Sequence, residues 1–127
     1  MPRRRVLVID DEEDIREIVA LSLETVAGWE VLRAASGAAG IAKAREQLPD
    51  AILLDVMMPE MDGPTTFRKL CADPATARIP VILLTAKVQA ADQKRFSGIG
   101  VAAVMFKPFD PLTLAKEIAV ALGWKDQ

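Results

Sequence analysis

The sequence predicts an α/β fold, a doubly wound five-stranded parallel sheet with five flanking helices, on three observations. Short apolar runs alternate with amphipathic stretches of helical period, the order that links parallel strands through helical crossovers. One run, Ala51 to Leu54, is continuously apolar, as a strand buried on both faces is. Four runs stop at polar residues: RVLVID at Asp10-Asp11, AILLD at Asp55, PVILLT at Thr85 and VAAVMFK at Lys107. Right-handed crossovers on both faces would bring all four to the carboxyl edge of one sheet, where ligands of such sheets sit.

The elements follow in order. After Asp10-Asp11, residues Ile15, Ile18, Val19, Ser22 and Val26 fall on one helical face, with Glu12, Glu13 and Asp14 in a first turn that favours anions and Gly28 as a stop. Trp29 to Ala34 reads as the second strand. Ser36 caps a second helix with Ile41, Ala44 and Leu48 facing inward, and Pro49 ends it. The third strand is followed by the turn Met58-Pro59-Glu60-Met61-Asp62-Gly63 and a helix from Pro64 to Ala72, proline suiting a first helical position. A polar loop from Asp73-Pro74 to Pro80 leads to a strand at Val81 to Leu84 and a helix at Val88 to Phe96. The last strand spans Val101 to Phe106; Asp110-Pro111 starts the final helix and Gly123 stops it.

A chain of 127 residues suits one domain, 1–127, with no output domain and too little length for a second of ordinary size. Apolar residues at 51% and charged residues at 27% are the balance of a soluble globular protein. A net charge of −2 without a basic block excludes a nucleic-acid footprint, and Arg3, Arg4 and Arg5 read as a solvated start to the first strand. No apolar run is long enough for a membrane span or signal peptide, so a cytoplasmic protein without membrane association is expected. A single cysteine, Cys71, excludes an intrachain disulfide and reads as a small core residue; without histidine there is no zinc or nucleophile-histidine constellation.

Charge points to the chemistry. Carboxylates of Asp10, Asp11 and Asp55 brought together repel and raise one another's pKa unless a cation intervenes. Oxygen-only ligands match Mg²⁺, which keeps several waters and is shared with phosphate. Metal and Lys107 together neutralise a phosphoryl group arriving at a carboxylate, and phosphoryl transfer asks mainly for positioning and electrostatic stabilisation. Asp55, ending the central strand, is the candidate nucleophile, and the Thr85 hydroxyl can donate to a phosphoryl oxygen. Taken singly, Asp10-Asp11 reads as a helix cap, Lys107 as a surface charge, Thr85 as a capping hydroxyl and Asp55 as a turn residue. Their joint placement overturns these readings. The methionines at 57, 58 and 61 are packing and turn material, since thioethers suit soft metals.

Asp10-Asp11, Asp55 in DVMMPEMDG, Thr85-Ala86 and Lys107-Pro108-Phe109, in that order and spacing, resemble the receiver domains of bacterial two-component response regulators over essentially the whole chain. The resemblance implies a flavodoxin-like sheet of order 2-1-3-4-5. It implies that Asp55 accepts phosphate from a phosphohistidine on a histidine kinase or phosphotransfer protein. It further implies Mg²⁺ held by Asp10, Asp11, Asp55 and the backbone carbonyl of Met57, Thr85 and Lys107 reading the phosphate, a cis Lys107-Pro108 bond, and a remodelled surface that a downstream protein reads. Ile15 with Leu21 or Leu23 on the first helix are candidate docking positions, and a monomer or weak dimer is expected. The chain would catalyse only its own phosphoacceptance and dephosphorylation.

Three residues before Lys107 many receivers carry an aromatic residue that moves with the threonine; here Val104 stands there. Phe106 faces away from Lys107 by strand alternation and is not a substitute. Met57 and Lys87 occupy positions that tune phosphoryl lifetime in the family. Two other classes fit less well: aspartyl-phosphate hydrolases want a D-x-D pair and usually a cap insertion, and flavodoxin-like electron carriers want flanking aromatics, of which this chain has 5% and no tyrosine.

Overall fold

The computed structural model describes residues 3–86 and 89–124. Among these, five strands alternate with five helices: β1 Arg5–Ile9, α1 Glu13–Ala27, β2 Glu30–Ala34, α2 Gly37–Gln47, β3 Ala51–Asp55, α3 Gly63–Ala72, β4 Val81–Thr85, α4 Ala90–Ser97, β5 Ala103–Phe106 and α5 Leu114–Leu122. The strands form one parallel sheet ordered β2-β1-β3-β4-β5, as expected.

Strand alternation divides the core in two. Val6, Val8, Leu53, Ile82 and Leu84 face α1 and α5, packing on Val19, Leu23, Leu114 and Ile118. Leu7, Ile9, Ile52, Leu54, Val81 and Leu83 face the other layer, against Ala44, Phe67, Leu70 and Phe96. Every residue of β3 and β4 is buried, because helices cover both faces at the centre of the sheet. Each fully buried leucine or isoleucine here is worth roughly 2 kcal/mol of transfer free energy, so the two layers fix the register that places the strand ends.

The helix boundaries have local causes. At the end of α1, Gly28 takes a left-handed φ of 72° and donates to the Glu24 carbonyl. Ser36 caps α2 by accepting from Ala39 N–H, and Asp62 caps α3 by accepting from Thr65 N–H at 2.9 Å. Residues 111–113 form a turn before α5, tied by Asp110 Oδ1 accepting Leu112 N–H, so this helix starts later than Asp110-Pro111 suggests. Likewise β5 begins at Ala103 rather than Val101, and α4 at Ala90. Val88, and Lys87 with it, lie outside the described residues.

Several side chains sit elsewhere than expected. The inward face of α1 is Val19, Ala20, Ser22 and Leu23, leaving Ile18 and Val26 exposed. Leu48 is 57% exposed because the chain turns left-handed there, at φ 48°, and swings its side chain off the helix face. Cys71 is exposed on the outer side of α3. Arg4 is not simply solvated: its guanidinium stacks 4.3 Å from the Trp124 ring, which meets Trp29 edge-on at 5.3 Å, at the amino edge of the sheet.

Candidate functional site

The carboxyl edge of the sheet gathers the polar strand ends. Asp10 extends the pairing of β1 by one residue, its N–H donating to the Ala34 carbonyl at 3.1 Å. Two further contacts hold it: Arg16 donates to its main-chain carbonyl at 2.9 Å, and its Oδ1 accepts the Glu12 N–H at 2.9 Å. Asp55 closes β3 in register with Leu84, and Gly63 at the start of α3 presses on its main chain. A Cβ at Gly63 would lie 2.6 Å from the Asp55 carbonyl oxygen and 2.9 Å from the Val56 Cα, so only glycine lets the β3–α3 loop fold back this closely.

Asp10 and Asp55 are 2% and 3% exposed, while Asp11 stands in solvent. One carboxylate oxygen from each of the three lies within 4.8 Å of the others. Lys107 enters from the end of β5, its Nζ 3.1 Å from Asp55 Oδ1, 3.4 Å from Asp10 Oδ2 and 3.6 Å from Glu12 Oε1. Its N–H donates to the Thr85 carbonyl at 2.9 Å, joining the ends of β4 and β5. Thr85 itself is fully buried, one residue beyond the level of Asp55. The Lys107-Pro108 bond is cis.

One ammonium among these acids leaves negative charge uncompensated. Burial first, and the Asp10 charge second, push the Asp55 carboxyl up to about 6 against the pull of Lys107. Burial also raises Asp10, outweighing the Glu12 N–H and Lys107. For Lys107 burial opposes the charged form, yet its bond to Asp55 and the charges of Asp10 and Asp55 prevail and hold it above the ordinary lysine range. A simple ion pair would lower its acid; here both partners rise, because desolvation and a second carboxylate act on Asp55 together. Moreover, Asp55 Oδ2 is buried without a hydrogen-bond partner. A buried, orphaned carboxylate oxygen beside two more carboxylates is a donor set fitted to a hard divalent cation, so Mg²⁺ suits these residues.

Residues 6–119 match the family described as response regulator receiver domain. The chain belongs to this family. The receiver domain is 42% identical over 123 residues to the DNA-binding dual master transcriptional regulator RpaA of Synechocystis, covering 97% of this chain and 51% of RpaA. With the response regulator PleD of Caulobacter vibrioides it shares 43% over 110 residues, covering 87% of this chain and 24% of PleD. It thus spans about half or less of these two relatives. Protein PilH of Pseudomonas aeruginosa is 36% identical over 119 residues, covering 94% of this chain and 98% of PilH. The chemotaxis response regulator CheY4 of Vibrio cholerae superposes with a TM-score of 0.86 at 31% identity, covering 94% of this receiver domain and 98% of that chain.

The strand-end residues Asp10, Asp11, Asp55, Thr85 and Lys107 all reach the carboxyl edge. Met57 presents an exposed side chain in the loop after β3. Val104 packs beside the second core layer, whereas Ala103 and Met105 face the first. Alternation puts Phe106 on the side of Val104 and opposite Lys107, partly exposed at the strand end. Two residues not singled out from the sequence belong to the site: Arg16, through the Asp10 carbonyl, and Glu12, through Lys107. Among the described residues no helix is long and apolar enough to cross a membrane.

Proposed function

We propose that this receiver domain accepts a phosphoryl group on Asp55 from a phosphohistidine of a histidine kinase or phosphotransfer protein. The observation that carries this reading is the buried Asp55 carboxylate with one oxygen held by Lys107 at 3.1 Å and the other unpartnered. One Asp55 carboxylate oxygen attacks phosphorus while the other is left for the cation; the O–P bond forms, the N–P bond of phosphohistidine breaks, and the imidazole nitrogen leaves with the bonding pair and takes a proton from water. With its carboxyl at about 6, Asp55 is ionised and nucleophilic at neutral pH.

Asp10, Asp11 and Asp55, with the backbone carbonyl of Met57, would hold Mg²⁺, which supplies positive charge for the phosphoryl oxygens when bound. Lys107, already between Asp55 and Asp10, neutralises the acyl phosphate, and the Thr85 hydroxyl donates to one of its oxygens. A dianionic group drawing on Thr85 and Lys107 pulls the ends of β4 and β5 together and shifts a surface that a downstream protein reads. The chain turns over only its own phosphoryl group, in the cytoplasm.

A partner must bring its imidazole to the mouth of this pocket. There an apolar groove of about 430 Å³ is lined by Ile15, Ile18, Pro108, Phe109 and Pro111, with Lys107 on its border. Of the candidate docking positions on α1, Ile15 lines this groove and Leu21 is exposed, whereas Leu23 is core and not open to a partner. The test is intact mass after incubation with Mg²⁺ and acetyl phosphate. The native chain is expected to gain one base-labile phosphate that requires Mg²⁺, and Asp55→Asn none. Labelling of the variant, or none of the native chain, refutes the assignment.

A further inference from the structure

We propose that Glu12 is a positioning residue of this site: its carboxylate holds the Lys107 ammonium from the solvent side and repels doubly charged donors until a phosphoryl group takes its place. The inference rests on Asp55 as the acceptor.

Three carboxylates share Lys107, and they differ in freedom. Asp55 and Asp10, at 3.1 and 3.4 Å, are buried and fixed by their strands. Glu12, at 3.6 Å, has a side chain 62% exposed and can withdraw into water without opening a cavity. Its main chain cannot move as freely, because the Glu12 N–H donates to Asp10 Oδ1. The result is a fixed pivot carrying a mobile charge.

Helix capping supplies a second observation. Glu12 is the N-cap residue of α1, with φ −86° and ψ 111°, yet its side chain makes no capping hydrogen bond. Serine, threonine, aspartate and asparagine serve that position far better. The glutamate leaves the helix end without a side-chain cap, and its longer reach brings its carboxylate to Lys107. A donor approaching from solvent therefore meets the exposed acids Asp11 and Glu12 before Lys107. Once phosphate is on Asp55, a dianion outcompetes the singly charged glutamate for the ammonium, and Glu12 is released.

The experiment compares labelling rates of native protein, Glu12→Gln and Glu13→Gln in Mg²⁺ at pH 7, with acetyl phosphate, a dianion, and phosphoramidate, a monoanion. Glu12→Gln should label about three- to tenfold faster with acetyl phosphate at low salt, gain at most about twofold with phosphoramidate, and lose most of the advantage in about 0.5 M NaCl. Glu13→Gln removes the same charge one residue on and should match native. In the metal-free protein the Lys107 ammonium resonance should move in Glu12→Gln and stay in Glu13→Gln. Equal gains with both donors, a gain independent of salt, matching behaviour of Glu13→Gln, or an unmoved Lys107 signal overturns the inference. Labelling that survives Asp55→Asn would instead overturn the acceptor assignment beneath it.

Discussion

Asp55→Asn should stabilise the metal-free fold at neutral pH, although it removes the proposed phosphoacceptor. The folded protein carries this carboxyl from 3.8 to about 6, through burial first and the Asp10 charge second. The folded state therefore binds the proton more tightly than the unfolded chain does. Protonation contributes stability that is complete below 3.8 and is lost as pH rises through about 6. Above that window the ionised carboxylate costs the fold about 3 kcal/mol relative to a neutral group. Solvent screens little of this, since Asp55 is 3% exposed. Asparagine keeps an acceptor for Lys107 and replaces the orphaned Oδ2 by a neutral amide. In EDTA, urea unfolding followed by circular dichroism should show the variant more stable by about 2–3 kcal/mol at pH 8, several degrees in Tm. At pH 4.5, where most of the native carboxyl is protonated, the gap should fall to about 1 kcal/mol or less. Saturating Mg²⁺ should narrow it at pH 8 by binding the native site. Equal stabilities at pH 8, or a gap that does not change with pH, refute the reasoning.

Lys107→Met strips the counter-charge from two buried carboxylates and should cost about 3 kcal/mol at pH 8, where the lysine is fully charged, and less at pH 4.5 as the acids protonate; a loss constant across that range would show that packing, not charge, is at stake. Gly63→Ala forces a methyl to 2.6 Å from the Asp55 carbonyl oxygen. Despite the better helix propensity of alanine, it should lower stability by about 1–3 kcal/mol and slow phosphate labelling, and an unchanged urea midpoint would contradict it. Leu48→Gly relieves a left-handed residue whose side chain is largely exposed, and should raise stability by about 0.5–1 kcal/mol in the same urea assay.

The sheet and its pocket were legible because they depend on patterns a sequence carries directly. Apolar runs ending at Asp10, Asp55, Thr85 and Lys107 encode both the strands and the edge where those residues meet. The face of α1 was less legible, since Ile15, Ile18, Val19, Ala20, Leu21, Leu23 and Val26 surround much of the helix. Packing against α5 as well as the sheet selects Val19, Ala20 and Leu23 from that set. Leu48 keeps the apolar period but sits where the backbone turns left-handed, a choice periodicity does not register. Cys71 followed composition rather than position, at the outward end of α3. Glu12 could be read only as a first-turn acid; that it faces Lys107 depends on a residue 95 positions away, supplied by a different strand. The opposed pulls on Asp55 likewise require distances that no spacing gives.

The stack of Arg4, Trp124 and Trp29 at the amino edge has an optical consequence. These are the two tryptophans of the chain, and they touch each other at the opposite pole from the carboxylates. Intrinsic fluorescence will therefore report the docking of the C-terminal helix and global unfolding with high contrast. It will not see metal or phosphate by direct contact, so any quenching on adding either must have travelled the length of the sheet.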